Sequence, residues 1–95
     1  MAITITFIGS LRHIAGKPKM VIIGSDNFSI KQLIQKVLLD LPDMKTSLIN
    51  PQTDGTLKAN ALILVNDREI SVLNGIDTPV NDGDEVVFIP IVHGG

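Results

Sequence analysis

Apolar and polar residues alternate from the start of the chain: Ile3, Ile5 and Phe7 are separated by Thr4 and Thr6. A period of two places one set of side chains on one face of an extended segment, so residues 3–8 read as a strand with a single face on a core. The next stretch, "GSLRHIAGKPK", carries turn residues at Gly9, Ser10, Gly16 and Pro18, and "MVIIG" follows as a short apolar run. These predict a hairpin closed by a wide loop. The period then changes. In "FSIKQLIQKVLLDLP", Ile30, Leu33, Ile34, Val37, Leu38 and Leu41 recur at the spacing of one helical face, opposite Lys31, Gln35, Lys36 and Asp40. Ser29 and Gln32 have the spacing of a capping box, Phe28 can staple to Leu33, and Pro42 stops the run.

From 45 to 60 no period is sustained, and Pro51, Asp54 and Gly55 mark a surface excursion with room for one short helical turn. "ALILV" is a continuous apolar run of strand length, expected near the middle of a sheet. A turn at Asn66 and Asp67 leads to a short fourth strand over 68–72. "NGIDTPVNDGDE" is turn chemistry throughout, with Gly75 and Gly83 at positive φ and Pro79 fixing its own φ. "EVVFIPIV" is a last strand, apolar on both faces.

The element order is thus β-β-α-β-β-β in one domain spanning residues 1–95, with no repeat or linker. One amphipathic helix covers one face of a mixed four- or five-stranded sheet, which makes the fold class α+β. A hairpin, a crossing helix and then a strand returning beside the first is the β-grasp arrangement.

Composition narrows the function. The 95 residues include no Trp, no Tyr and three Phe, so aliphatic side chains build the core. A net charge of -2 with scattered basic residues supplies no patch for nucleic acid. Without cysteine there is no disulfide, thiolate metal site or thiol nucleophile, and His13 and His93 lack partners for a zinc site. Asp77, Asp82, Asp84 and Glu85 do not meet the spacing of a calcium loop and read as strand-initiating turns. No P-loop, dinucleotide fingerprint or Ser-His-Asp order is present, and no apolar run reaches the length of a membrane span. No export signal is legible at the N-terminus, so the cytoplasm is the expected location.

The last third of the chain carries a motif. "LVN" in the apolar strand, "G-x-D-T-x-V-x-D-G-D-E-V" over Gly75 to Val86, Pro90 and a terminal Gly94-Gly95 together make a specific combination. In these features the chain resembles the ubiquitin-like sulfur carriers: the small subunit of molybdopterin synthase (MoaD), the thiamin sulfur carrier (ThiS) and the ubiquitin-related modifier. The resemblance implies a ubiquitin-like β-grasp fold and a carrier or modifier that is not itself an enzyme and binds no cofactor. An activating enzyme would use ATP to adenylate the C-terminal carboxylate of Gly95. A sulfur donor would convert it to a thiocarboxylate, passed to a sulfur acceptor for tRNA thiolation or molybdopterin synthesis; alternatively, a lysine amine of a target protein would take the acyl group. Residues 91–95 are then expected as a flexible tail. Elementary chemistry agrees with the ending: glycine makes a slim, unbranched arm, and an α-carboxyl group with a pKa near 3.5 is already ionised at neutral pH.

Phe88, Ile89, Ile91, Val92 and His93 complete the expected partner-binding residues. The last strand and "ALILV" present apolar groups on two faces while one helix covers only one, which leaves a face either for the 45–60 excursion to cover or for docking. The resemblance implies that the uncovered face and the tail dock on the activating enzyme and the sulfur acceptor. The ending departs from the Pro-Pro-Val-x-Gly-Gly pattern common in the molybdopterin-synthase subunit. Ile91 follows Pro90 and His93 precedes Gly94, which leans toward the ubiquitin-related modifier and archaeal small modifiers. A different class of function, a non-covalent β-grasp adaptor with an incidental tail, stands beside the carrier reading.

Overall fold

The computed structural model of the chain describes residues 2–25, 27–48 and 61–90. Five strands, β1 (Ala2–Phe7), β2 (Lys19–Ile23), β3 (Ala61–Val65), β4 (Arg68–Glu69) and β5 (Glu85–Pro90), form one mixed sheet in the order β2-β1-β5-β3-β4. Three α-helices accompany them among the described residues: α1 (Ser10–Ala15), α2 (Ile30–Asp40) and α3 (Lys45–Leu48). This is the β-grasp fold of the α+β class, with α2 as its main helix.

The alternation in β1 settles its orientation. Ile3, Ile5 and Phe7 are fully buried, and the pattern repeats across the sheet in Met20 and Ile22, in Ala61, Ile63 and Val65, and in Val86 and Phe88. Ile30, Leu33, Ile34 and Val37 of α2 meet that face. The helix starts as its sequence dictates: Ser29 Oγ accepts the Gln32 N–H, and Gln32 Oε1 accepts the Ser29 N–H at 2.8 Å. This reciprocal pair satisfies two amide groups that the first turn leaves open.

Three expectations are corrected. The loop after β1 contains α1, a six-residue helix that buries Leu11 and Ala15 and ends on Gly16 in the left-handed conformation (φ 74°). Its two inward residues are too few to produce a readable period. The fourth strand stops at Glu69, and residues Ile70–Val72 turn into a 3₁₀ helix that buries Ile70. Finally, the strand that returns beside β1 is β5, in parallel, and not the strand that follows the helix. β3 sits one place further out, antiparallel to β5. The short helical turn expected after 45 is α3; it and the preceding turn bury Met44 and Leu48 completely, so this stretch contributes to the core. Residues 49–60 lie outside the described residues.

Candidate functional site

The strand that leads to the tail is the central strand of the sheet. β5 lies between β1 and β3, with Val86 and Phe88 fully buried. The Phe88 ring meets Phe7 edge to face, with centroids 5.7 Å apart and planes at 84°. Aromatic pairs favour this geometry, which sets the positive ring edge against the negative face. Phe88, expected among the partner-contacting residues, is therefore a core residue and offers no surface to another protein.

The start of β5 is held by Asn66. Asn66 and Asp67 form the two-residue turn between β3 and β4, both at positive φ (49° and 69°), a conformation that Asn and Asp tolerate better than other side chains. The Asn66 side chain then reaches the neighbouring strand: its Oδ1 accepts the Glu85 N–H at 3.0 Å, and its Nδ2 donates to Asp84 Oδ1 at 2.9 Å. Asp84 Oδ2 accepts the Asn81 N–H at 2.7 Å, and Asp82 Oδ1 accepts the Ala2 N–H at 2.7 Å. Two of the acidic residues expected in strand-initiating turns, Asp82 and Asp84, thus hold backbone amides with their carboxylates. Among the described residues no group of three or more His, Asp or Glu is placed to hold a metal ion.

Where β5 ends, Pro90 meets Gly9. Gly9 stands at φ 57°, ψ -131°, and a Cβ there would lie 3.3 Å from the Pro90 Cγ, so this position suits glycine on both counts. Pro90 also fits its hydrogen-bonding place. The parallel ladder with β1 runs through Thr4 N–H to Asp84 O and Ile8 N–H to Phe88 O, so its next bond would come from an amide at position 90 to the Ile8 carbonyl. That carbonyl already accepts the Leu11 N–H at 3.2 Å. A residue without an N–H is at no disadvantage there. The sequence alone does not reveal the Gly9–Pro90 contact, since the residues lie at opposite ends of the chain.

The sheet face away from α2 carries the remaining candidates. Strand register sets Leu62 beside Ile89 and Leu64 beside Val87, forming a half-buried apolar group at the tail end of β5. Val87 and Ile89 thus point opposite to Val86 and Phe88, as the alternation predicts. Thr6, Lys19 and Glu69 continue the Val87 row toward the two edges. Ile91, Val92, His93, Gly94 and Gly95 lie outside the described residues. His13 is exposed on α1. A groove of about 600 Å³ opens at the other end of β5, lined in part by Arg68, Asn74, Thr78 and Asp84. Two of its polar groups serve the fold: Thr78 Oγ1 accepts the Asn74 N–H at 3.0 Å, and Asp84 holds the turn.

The Urm1 (ubiquitin related modifier) family model matches residues 2–95. The chain belongs to this family. Ubiquitin-related modifier 1 of Schizosaccharomyces pombe is 28% identical over 100 residues, covering 100% of both chains. The sulfur carrier protein CysO of Mycobacterium tuberculosis is 28% identical over 95 residues, again covering 100% of both. Among solved structures, the small archaeal modifier protein 1 of Methanosarcina acetivorans superposes with a TM-score of 0.87 at 23% identity, covering 99% of this chain and 96% of that one. The family consists of modifier and carrier proteins and not of enzymes, and the fold assigned from element order is that of its members. No helix among the described residues is long and apolar enough to cross a membrane.

Proposed function

We propose that this member of the family is a carrier whose reactive group is the carboxylate of Gly95. In the first step a carboxylate oxygen attacks the α-phosphorus of ATP on an activating enzyme and pyrophosphate leaves, giving an acyl-adenylate. In the second, a sulfur nucleophile attacks the acyl carbon and AMP leaves, and the thiocarboxylate that results delivers sulfur to an acceptor such as tRNA or a pterin precursor. Attack by a lysine amine at the same carbon gives an isopeptide bond instead. ATP is a substrate of the partner, and the reading takes the reaction to be cytoplasmic. The observation that carries the reading is the Gly94-Gly95 ending in a chain matched by the family model through residue 95.

Two features of the fold support it. A central strand held at its start by Asn66 and paired with β3 as far as Pro90 is a rigid origin for a short arm. The neighbouring Leu62, Leu64, Val87 and Ile89 supply an apolar surface beside that origin, suited to dock the activating enzyme.

Intact-mass analysis after incubation with a cognate activating enzyme, ATP and sulfide tests this. The parent should gain the mass of one oxygen replaced by sulfur. Deleting Gly94 and Gly95, or substituting Gly95→Val, should abolish the gain while stability moves by less than about 0.5 kcal/mol. A deletion variant that retains full cellular function would overturn the carrier reading in favour of an adaptor.

A further inference from the structure

The edge strand β2 is unlike the rest of the sheet. The register Thr4↔Val21 together with the bond from Phe7 N–H to Pro18 O sets the alternation of the β1–β2 ladder. Met20 and Ile22 exchange hydrogen bonds with β1, and the backbone groups of Lys19, Val21 and Ile23 point away from it. One confirmation is direct: the outward Ile23 carbonyl accepts Lys36 Nζ at 2.9 Å. No described strand follows β2 on that side. The side chains of the same residues are bare, with Val21 60% and Ile23 64% exposed, and Leu39 on α2 is 82% exposed nearby. Together Val21, Ile22, Ile23, Lys36, Leu39 and Asp40 line a groove of about 340 Å³ between β2 and α2. Thr4, Thr6 and Glu85 separate this edge from the apolar group around Val87.

We propose that β2 is a second interaction surface, which accepts an extended acidic segment of another protein as an added strand. The outward N–H and C=O groups of Lys19 and Val21 select an extended chain, because a helix has none to offer in return. An added strand would set alternate side chains beside Val21 and Ile23 on one face and over Leu39 on the other. Charge selects the sign: among the described residues, Lys17, Lys19 and Lys36 outnumber Asp40 along this edge. The same lysines disfavour a second copy of this chain. Two β2 strands paired antiparallel about Val21 would place Lys19 of one copy opposite Ile23 of the other, where Lys36 already sits on the carbonyl. Like charges would meet at both ends. The proposal is independent of whether Gly95 is adenylated.

The test is a titration of the ¹⁵N-labelled full chain with a short acetylated and amidated peptide of alternating valine and threonine flanked by glutamates. A control peptide has the same centre and flanking lysines. The Lys19 and Val21 amide resonances should shift, exchange of the Val21 amide should slow, and the acidic peptide should bind about tenfold more tightly than the basic one. Val21→Pro removes an outward N–H and leaves the bonds of Met20 and Ile22 to β1, so it should abolish binding. Lys36→Glu keeps the fold and should weaken binding about tenfold, which decides the matter if the proline variant unfolds. Equal affinity for both peptides, shifts confined to Leu62, Leu64, Val87 and Ile89, or no binding at all would overturn the proposal. So would Val21 shifts that depend on protein concentration without peptide, which would assign the edge to self-association.

Discussion

Asn66→Asp isolates the link that holds the start of the tail-bearing strand. Asp keeps the size of the side chain, its tolerance of positive φ, and an oxygen to accept the Glu85 N–H at 3.0 Å. What is lost is the donor: Asn66 Nδ2 to Asp84 Oδ1, at 2.9 Å, is replaced by two facing carboxylates. A typical intramolecular hydrogen bond contributes about 1 kcal/mol, and solvent exposure keeps this one near that value although its acceptor is charged. Two like charges at this separation in a largely aqueous setting add up to about 1 kcal/mol of repulsion. The expected destabilisation is therefore about 1–2 kcal/mol, or about 5–15 °C in Tm for a domain of this size. Combining Asn66→Asp with Asp84→Asn reverses the pair. The Nδ2 now comes from position 84, whose Oδ1 still accepts the Asn81 N–H, so most of the loss should return. Urea unfolding at pH 7 followed by far-UV circular dichroism measures all four members of the cycle, since a chain without Trp or Tyr gives no useful fluorescence. The reasoning fails if Asn66→Asp lies within about 0.3 kcal/mol of the parent, or if the double variant is no more stable than the sum of its single changes predicts.

The two faces of β5 should separate stability from partner binding. Phe88→Ala, deep against Phe7, should cost about 3–5 kcal/mol in urea unfolding. Ile89→Asp on the open face should cost only about 1 kcal/mol and keep a native circular dichroism spectrum, yet reduce adenylation in the mass assay; unfolding by this variant would return Ile89 to the core. Glu69 supplies a pH dependence. Hydrogen bonds from the Ser71 hydroxyl and then from the Ser71 amide hold its carboxyl below the ordinary value of 4.5. A depressed folded-state value means that the contribution is present above that pH and is lost as pH falls through the lower folded-state value. Thermal melts from pH 7 to pH 3 should accordingly show the stability gap between the parent and Glu69→Gln closing on acidification; a gap constant with pH would refute the assignment.

What the sequence determined by itself is what near neighbours settle. Ser29 and Gln32 cap α2 through groups three residues apart, and Ile30, Leu33, Ile34 and Val37 mark its buried face by spacing alone. Asn66-Asp67 turns the chain between β3 and β4, and the alternation in β1 separates inside from outside before any partner is known. The ending Gly94-Gly95 and the preceding motif were legible because their chemistry, as proposed, resides in residue types and needs no tertiary contact to be noticed. Tertiary structure decided the rest. α1 exists because the core offers a place for Leu11 and Ala15, and six residues are too few to carry a period of their own. β5 lies between β1 and β3, although the order of elements suggested that β3 would return beside β1. Backbone hydrogen bonds are the same for any pair of strands, so nothing in a strand's own residues names its neighbour. That choice falls to the burial and loop closure of the whole chain. For the same reason the sequence identified Phe88, Ile89, Val21 and Ile23 as apolar, but only the folded sheet assigned Phe88 to the core, Ile89 to the open face and Val21 and Ile23 to a bare edge.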